Sequence, residues 1–184
     1  MRRILAVSVL LLSGCAGQPF VADTARMTPS QLGEGVLDPD VAATNLAAWA
    51  FADPSRTRND PVDAARATAS LDYIAGELNT SPRWANIPAI TQIQLMQGRA
   101  EMRQAIGVAP GAPSQLVVDG LAGAGNALAS GNQVAALAAL QNPAFPNPQA
   151  TLARLYALPY IRMANVSTLR AAGQLFDSND ENWR

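Results

Sequence analysis

Asp60-Pro61-Val62-Asp63-Ala64-Ala65-Arg66-Ala67-Thr68-Ala69-Ser70-Leu71-Asp72-Tyr73-Ile74-Ala75-Gly76-Glu77-Leu78 is the stretch that decides the fold class. Asp60 stands where a helix N-cap accepts amide protons, and Pro61 where the first helical residue has no need to donate one. Ala64, Ala67, Leu71, Ile74, Ala75 and Leu78 recur at helical spacing, while Arg66, Ser70, Tyr73 and Glu77 share another face. The spacing predicts an amphipathic helix, the clearest in the chain. The same cap-then-proline signal at Asp38-Pro39 opens a helix through Leu46, Trp49 and Ala50 that should end before Pro54. Asn147-Pro148 opens another, to Leu158. Pro159 interrupts it, and Ile161, Ala164, Thr168, Leu169, Ala172 and Leu175 carry the last helix to about Phe176.

Between these lie two helices of different character. From Pro88 to Ile106, the residues Ile87, Thr91, Leu95, Gly98, Met102 and Ile106 fall on one side, and Ile90, Ile93, Met96 and Ala100 on the other. Two apolar faces predict a central helix, closed by Gly107. Ser114 opens the next, with Val117, Leu121, Ala124 and Leu128 as its apolar stripe and Gly120, Gly123 and Ala127 as a small-residue strip beside it. Each interior Gly costs about 1 kcal/mol against Ala, so close approach of a neighbouring helix is the expected compensation. Gly131-Asn132 turns the chain into Gln133–Gln141. Residues 127–140 look like the turn of a tetratricopeptide-type hairpin, but they lack that family's Trp and Tyr positions and no copy follows at a 34-residue period. An ordinary antiparallel helix pair is the reading adopted.

No stretch alternates apolar and polar residues with β-branched enrichment. Of the 184 residues, 36 are Ala, the best helix former. The expected fold is all-α, an irregular bundle of six or seven short-to-medium Ala-rich helices over residues 38–176, followed by a polar tail over 177–184.

Composition narrows the chemistry. The chain has 13 Arg, no Lys, no His and a single Cys. It therefore offers no imidazole base or imidazole metal ligand, no Schiff-base or phosphate-loop lysine, and no intrachain disulfide. A net charge of −1 argues against nucleic-acid binding. No cofactor, no metal and no catalytic residue is expected.

The first residues read as an address. Met1-Arg2-Arg3 is a charged start, and Ile4 to Leu12 is an apolar run broken only by Ser8, far short of the roughly 20 residues that span a bilayer. Leu12-Ser13-Gly14-Cys15 then resembles the lipobox of bacterial lipoproteins. That resemblance implies cleavage before Cys15, a thioether-linked diacylglycerol and an amide-linked acyl chain (palmitate-type) on Cys15, and, with Ala16 following, sorting to the outer membrane facing the periplasm. Removal of residues 1–14 takes away Arg2 and Arg3 and leaves 11 Arg against 14 acids, a net of −3. Two or more acyl chains anchor stably where one does not. Residues 15–37 carry sparse, unperiodic apolar residues among Gly17, Pro19, Pro29, Gly33 and Gly35, and are expected to be a flexible tether, unless Phe20 and Val21 dock on the domain.

The remaining candidate chemistry is modest. Asp38/Asp40 and Asp60/Asp63 are carboxylate pairs of the kind glycoside hydrolysis uses, but each acid also suits a helix cap or first turn. Glu101 sits within one turn of Gln97 and two residues from Arg99 and Arg103. Gly120-x-x-Gly123-x-Gly125 follows no strand and reads as helix packing. Asp177-Ser178-Asn179-Asp180-Glu181-Asn182 lacks a calcium loop's sixth-position Gly. Trp84 and Arg83 are the candidate partner-binding residues: a loop aromatic beside Arg can anchor a partner, but plugging the end of the bundle is the favoured reading of Trp84. The expected function is a membrane-anchored envelope lipoprotein, held through Cys15, whose helical domain contacts a protein partner or acts structurally. The alternatives are a carboxylate-dependent hydrolase of cell-wall glycan and a small-ligand carrier with a pocket between helices.

Overall fold

The computed structural model describes residues 23–32 and 35–181, with side chains as far as 175. The signal-like segment, Cys15, Phe20, Val21 and Trp183 lie outside the described residues. Over the described residues the fold is an all-α irregular bundle of eight helices: α1 (Pro29–Leu32), α2 (Pro39–Ala52), α3 (Pro61–Thr80), α4 (Ala89–Ile106), α5 (Ser114–Ala129), α6 (Gln133–Ala139), α7 (Pro148–Tyr156) and α8 (Arg162–Glu181). Among the described residues there is no strand, and no helix is long and apolar enough to cross a membrane.

The caps at Asp38, Asp60 and Asn147 form as the sequence predicts, and Asn132, read only as part of a turn, adds another. Asp38 accepts from the amides of Asp40 and Val41, Asp60 from Asp63, Asn132 from Ala135 and Asn147 from Ala150. Gly107, at φ +82, closes α4 in the left-handed conformation, and its amide returns to the carbonyls of Arg103 and Gln104.

The predicted order of centrality is reversed. α3, not α4, runs through the middle of the bundle, with α2, α4, α5 and α7 packed around it. Its apolar stripe is buried, and so are Ala65, Ala69, Ser70, Asp72, Tyr73 and Gly76 on its other sides. These residues are small or find polar partners, so a face without large aliphatics is covered all the same. α4 buries Thr91, Leu95, Gly98, Met102 and Ile106, but its second apolar face is exposed: Ile90 is 53% and Ile93 62% exposed.

Close backbone approach explains the glycines. A Cβ on Gly120 would stand 2.5 Å from a ring carbon of Phe145 and 2.8 Å from Nδ2 of Asn142. One on Gly125 would stand 3.1 Å from Cγ of Arg66 on α3, and one on Gly98 3.2 Å from Cα of Ala164 on α8. α5 thus presses its small-residue strip on two neighbours at once. Leu71, Ile74, Leu78, Leu95, Met102, Ile106, Leu121 and Phe145 fill the spaces between, each large aliphatic contributing about 1.5–3 kcal/mol by leaving water.

Two expectations need correction. Over 23–32 the segment read as a tether is docked: Ala25 and Met27 are buried in the core, and Pro29–Leu32 forms the additional helix α1. Its few apolar residues find pockets on the bundle that no periodicity announces. The tail read as starting at residue 177 continues α8 to Glu181.

Adding a methyl group separates tight from open helix surface. Gly120→Ala should lower stability by about 1–3 kcal/mol through its clash. Gly173→Ala on α8, where nothing lies within 4 Å of the new Cβ, should raise it by up to about 1 kcal/mol. Thermal melts of the two variants beside the parent check both signs.

Candidate functional site

Among the described residues, two polar clusters and an open cleft stand out. The first cluster sits where α2 begins. After α3, the 3-10 turn Pro82–Trp84 folds Arg83 and Trp84 back over the start of α2. The Asp40 carboxylate, buried there, accepts from the Tyr73 hydroxyl, from Nε1 of Trp84 at 2.8 Å and from Nη1 of Arg83 at 3.1 Å. Arg83 also pairs with Asp38 and lies 4.3 Å over the Trp84 ring. The Arg83 hydrogen bond, against opposing burial, holds the Asp38 carboxyl below its ordinary value, and the same bond raises the Arg83 guanidinium. Burial, reinforced by Asp40, pushes the Tyr73 phenol up.

Trp84 is 6% exposed and occupies the end of the bundle; Arg83 is half exposed beside it. Of the two arrangements open to a loop Trp, this is the plug. The Asp38/Asp40 pair is held by Arg83, and Asp60 caps α3. Burial, followed by the charge of Asp60, raises the Asp63 carboxyl. Glu101 accepts from Nε2 of Gln97 at 3.1 Å on the outer side of α4.

The second cluster has no counterpart in the sequence reading. Asp72, on the central helix and 2% exposed, takes a two-pronged contact from Arg103: Nε at 2.6 Å and Nη2 at 2.7 Å. Nη1 of Arg103 donates to the Ala112 carbonyl at 2.9 Å, and Nη2 also reaches Oγ of Ser114 at 2.6 Å. Asp23 completes the cluster. Its carboxylate accepts from the Ser114 amide at 2.9 Å and 3.0 Å and from Ser114 Oγ at 2.8 Å. The start of α5, where Pro113 has no capping side chain, is thus capped from 91 residues away. The Asp23 carbonyl accepts from Arg99, and the Gly76 position leaves room for it, since a Cβ there would stand 2.8 Å from that oxygen. Further along, Gln115 bonds both the amide and the carbonyl of Arg26, and Gln31 bonds Asp119.

Beside this clasp an open cleft of about 490 Å³ runs between α4 and the loop at 108–111. Met96, Ala100, Val108, Ala109 and Pro110 line it together with Arg99 and Arg103. Sequence reasoning tied Arg99 and Arg103 to Glu101, their neighbour in the chain. The available signal was their i, i+4 spacing, which puts both on one face, the face that meets α3.

Burial raises the Asp23 carboxyl, but the bonds from the Ser114 amide and hydroxyl and the fields of Arg103 and Arg99 outweigh it, so its folded value lies below the ordinary one. Its stabilisation is therefore complete above the unfolded value of about 3.9 and is lost as pH falls through the lower folded value. Asp23→Ala should cost about 1–3 kcal/mol at neutral pH by leaving the Ser114 amide unpaired, and the gap between variant and parent melts should begin to narrow below about pH 4 and go on narrowing as pH falls through the lower folded value. A gap independent of pH would remove Asp23 from this role. The chain matches no protein-family model, no curated protein and no solved structure.

Proposed function

We propose that this chain is an envelope lipoprotein, anchored through acylated Cys15 and sorted to the outer membrane, whose helical domain works by contact with a protein partner or as a structural element rather than by catalysis. The observation that carries the reading is the distance along the chain between the lipobox-like Cys15 and Asp23, the first clasped residue among those described. Eight residues span at most about 28 Å, so a domain clasped at Asp23 is held close to a lipid surface instead of roaming on a long tether. The non-enzymatic part is supported by the engagement of Asp38 and Asp40 with Arg83 and of Asp60 with its cap, in a sequence without His or Lys.

A second reading, the small-ligand carrier, is favoured by the cleft beside Arg99.

Intact-mass measurement of the protein extracted from membranes should show loss of residues 1–14 and added acyl mass on Cys15. Cys15→Ala should give a soluble or unprocessed chain. Retention in salt-washed membranes of that variant after loss of residues 1–14, or a free thiol on an uncleaved parent chain, would overturn the anchor.

A further inference from the structure

The wall of the cleft contains a cation, Arg99, that pairs with no carboxylate among the described residues. Arg99 is 7% exposed, and its Nη1 donates to the Asp23 carbonyl at 3.0 Å and to Ser114 Oγ at 2.9 Å. Among the described residues it enters no ion pair, and its Nε and Nη2 donate to no group. Arg103, one turn on, differs: all three of its nitrogens donate within the protein, with Nε and Nη2 closed by Asp72. Burial pulls the Arg99 guanidinium down from its ordinary value, against the more distant Asp72 and Asp23. A buried charge without a close partner is costly. A neutral amide donor could hold the Asp23 carbonyl and the Ser114 hydroxyl without that cost; the charge of Arg99 adds its field on Asp23 and still leaves the Nε–Nη2 edge without a hydrogen-bond partner among the described residues.

The walls supply the rest of the specification. Met96, Ala100, Val108, Ala109 and Pro110 offer apolar surface, Gln104 and the already engaged Arg103 are the other polar residues beside Arg99, and about 490 Å³ is the size range of small-molecule sites. We infer that the cleft binds a small carboxylate with an apolar body, its two oxygens on the Nε–Nη2 edge of Arg99 as Asp72 sits on Arg103. This rests on the small-ligand reading and names its ligand class. A phosphate fits less well, because apart from Gln104 and the already engaged Arg103 its additional charge and oxygens would face Met96, Ala100, Val108, Ala109 and Pro110.

Calorimetric titration and thermal shift on the full chain in non-ionic detergent test the assignment, with hexanoate, hexanamide and inorganic phosphate as probes. Hexanoate should bind and raise the melting temperature, with hexanamide and phosphate weaker by about tenfold or more. Arg99→Gln should abolish the preference for hexanoate over hexanamide. Ala100→Trp, which fills the cleft and leaves the Arg99 bonds in place, should weaken hexanoate by a similar factor and tests the site even if Arg99→Gln does not fold. Equal binding of hexanoate and hexanamide would overturn the carboxylate assignment while leaving a small-ligand site standing. Failure of all three probes to bind would overturn both. Unchanged hexanoate binding in either variant, or tighter binding of phosphate, would also overturn the assignment.

Discussion

A carboxylate on the central helix organises this bundle. Asp72 is buried in the middle of α3, where an ionised side chain without a partner would be severely destabilising. Arg103 of α4 answers it in two-pronged geometry and spends its remaining donors on Ala112 and Ser114, at the start of α5. Ser114 in turn bonds Asp23. One buried ion pair thus sets α4 against α3, determines where α5 begins and gives the N-terminal segment its seat. Removing one partner from such a pair typically costs about 3–5 kcal/mol, a large fraction of the stability of a domain.

Small residues make that arrangement reachable. α3 can be surrounded because Ala64, Ala65, Ala67, Ala69, Ala75 and Gly76 let the neighbouring backbones come close. The gains per residue are small, and many contacts at short range replace a few large side chains. The same closeness leaves little tolerance, since Gly76, Gly98, Gly120 and Gly125 all face atoms that a Cβ would crowd. The two polar clusters occupy different parts of α3: Tyr73 faces the start of α2, and Asp72 faces α4.

Helix positions were largely legible because their signals are local. Asp38, Asp60 and Asn147 cap the helices they precede, Gly107 ends α4, and the Gly120–Gly123 strip meets close neighbours. The rank order of α3 and α4 was not legible, because apolar count measures side-chain size and not coverage: Ile90 and Ile93 remain in solvent while Ser70 and Asp72 are buried. Trp84 carried a signal with two meanings, and the nearness of Asp40 to its indole nitrogen selects one. The Asp23 cluster was not legible, because Asp72 lies 31 residues from Arg103 and Asp23 lies 91 from Ser114.

By itself the sequence determined the helical class, most helix limits, the side chains available for chemistry and the lipobox-like pattern around Cys15, because each rests on residues near one another in the chain. Only the tertiary structure decided which helix is central, that residues 23–32 belong to the domain, that Asp38 and Asp40 are held by Arg83, and that Arg99 lines a cleft without a carboxylate of its own. Those outcomes depend on which distant groups come within hydrogen-bond reach. Such encounters are set by packing the whole chain at once, which no local pattern encodes.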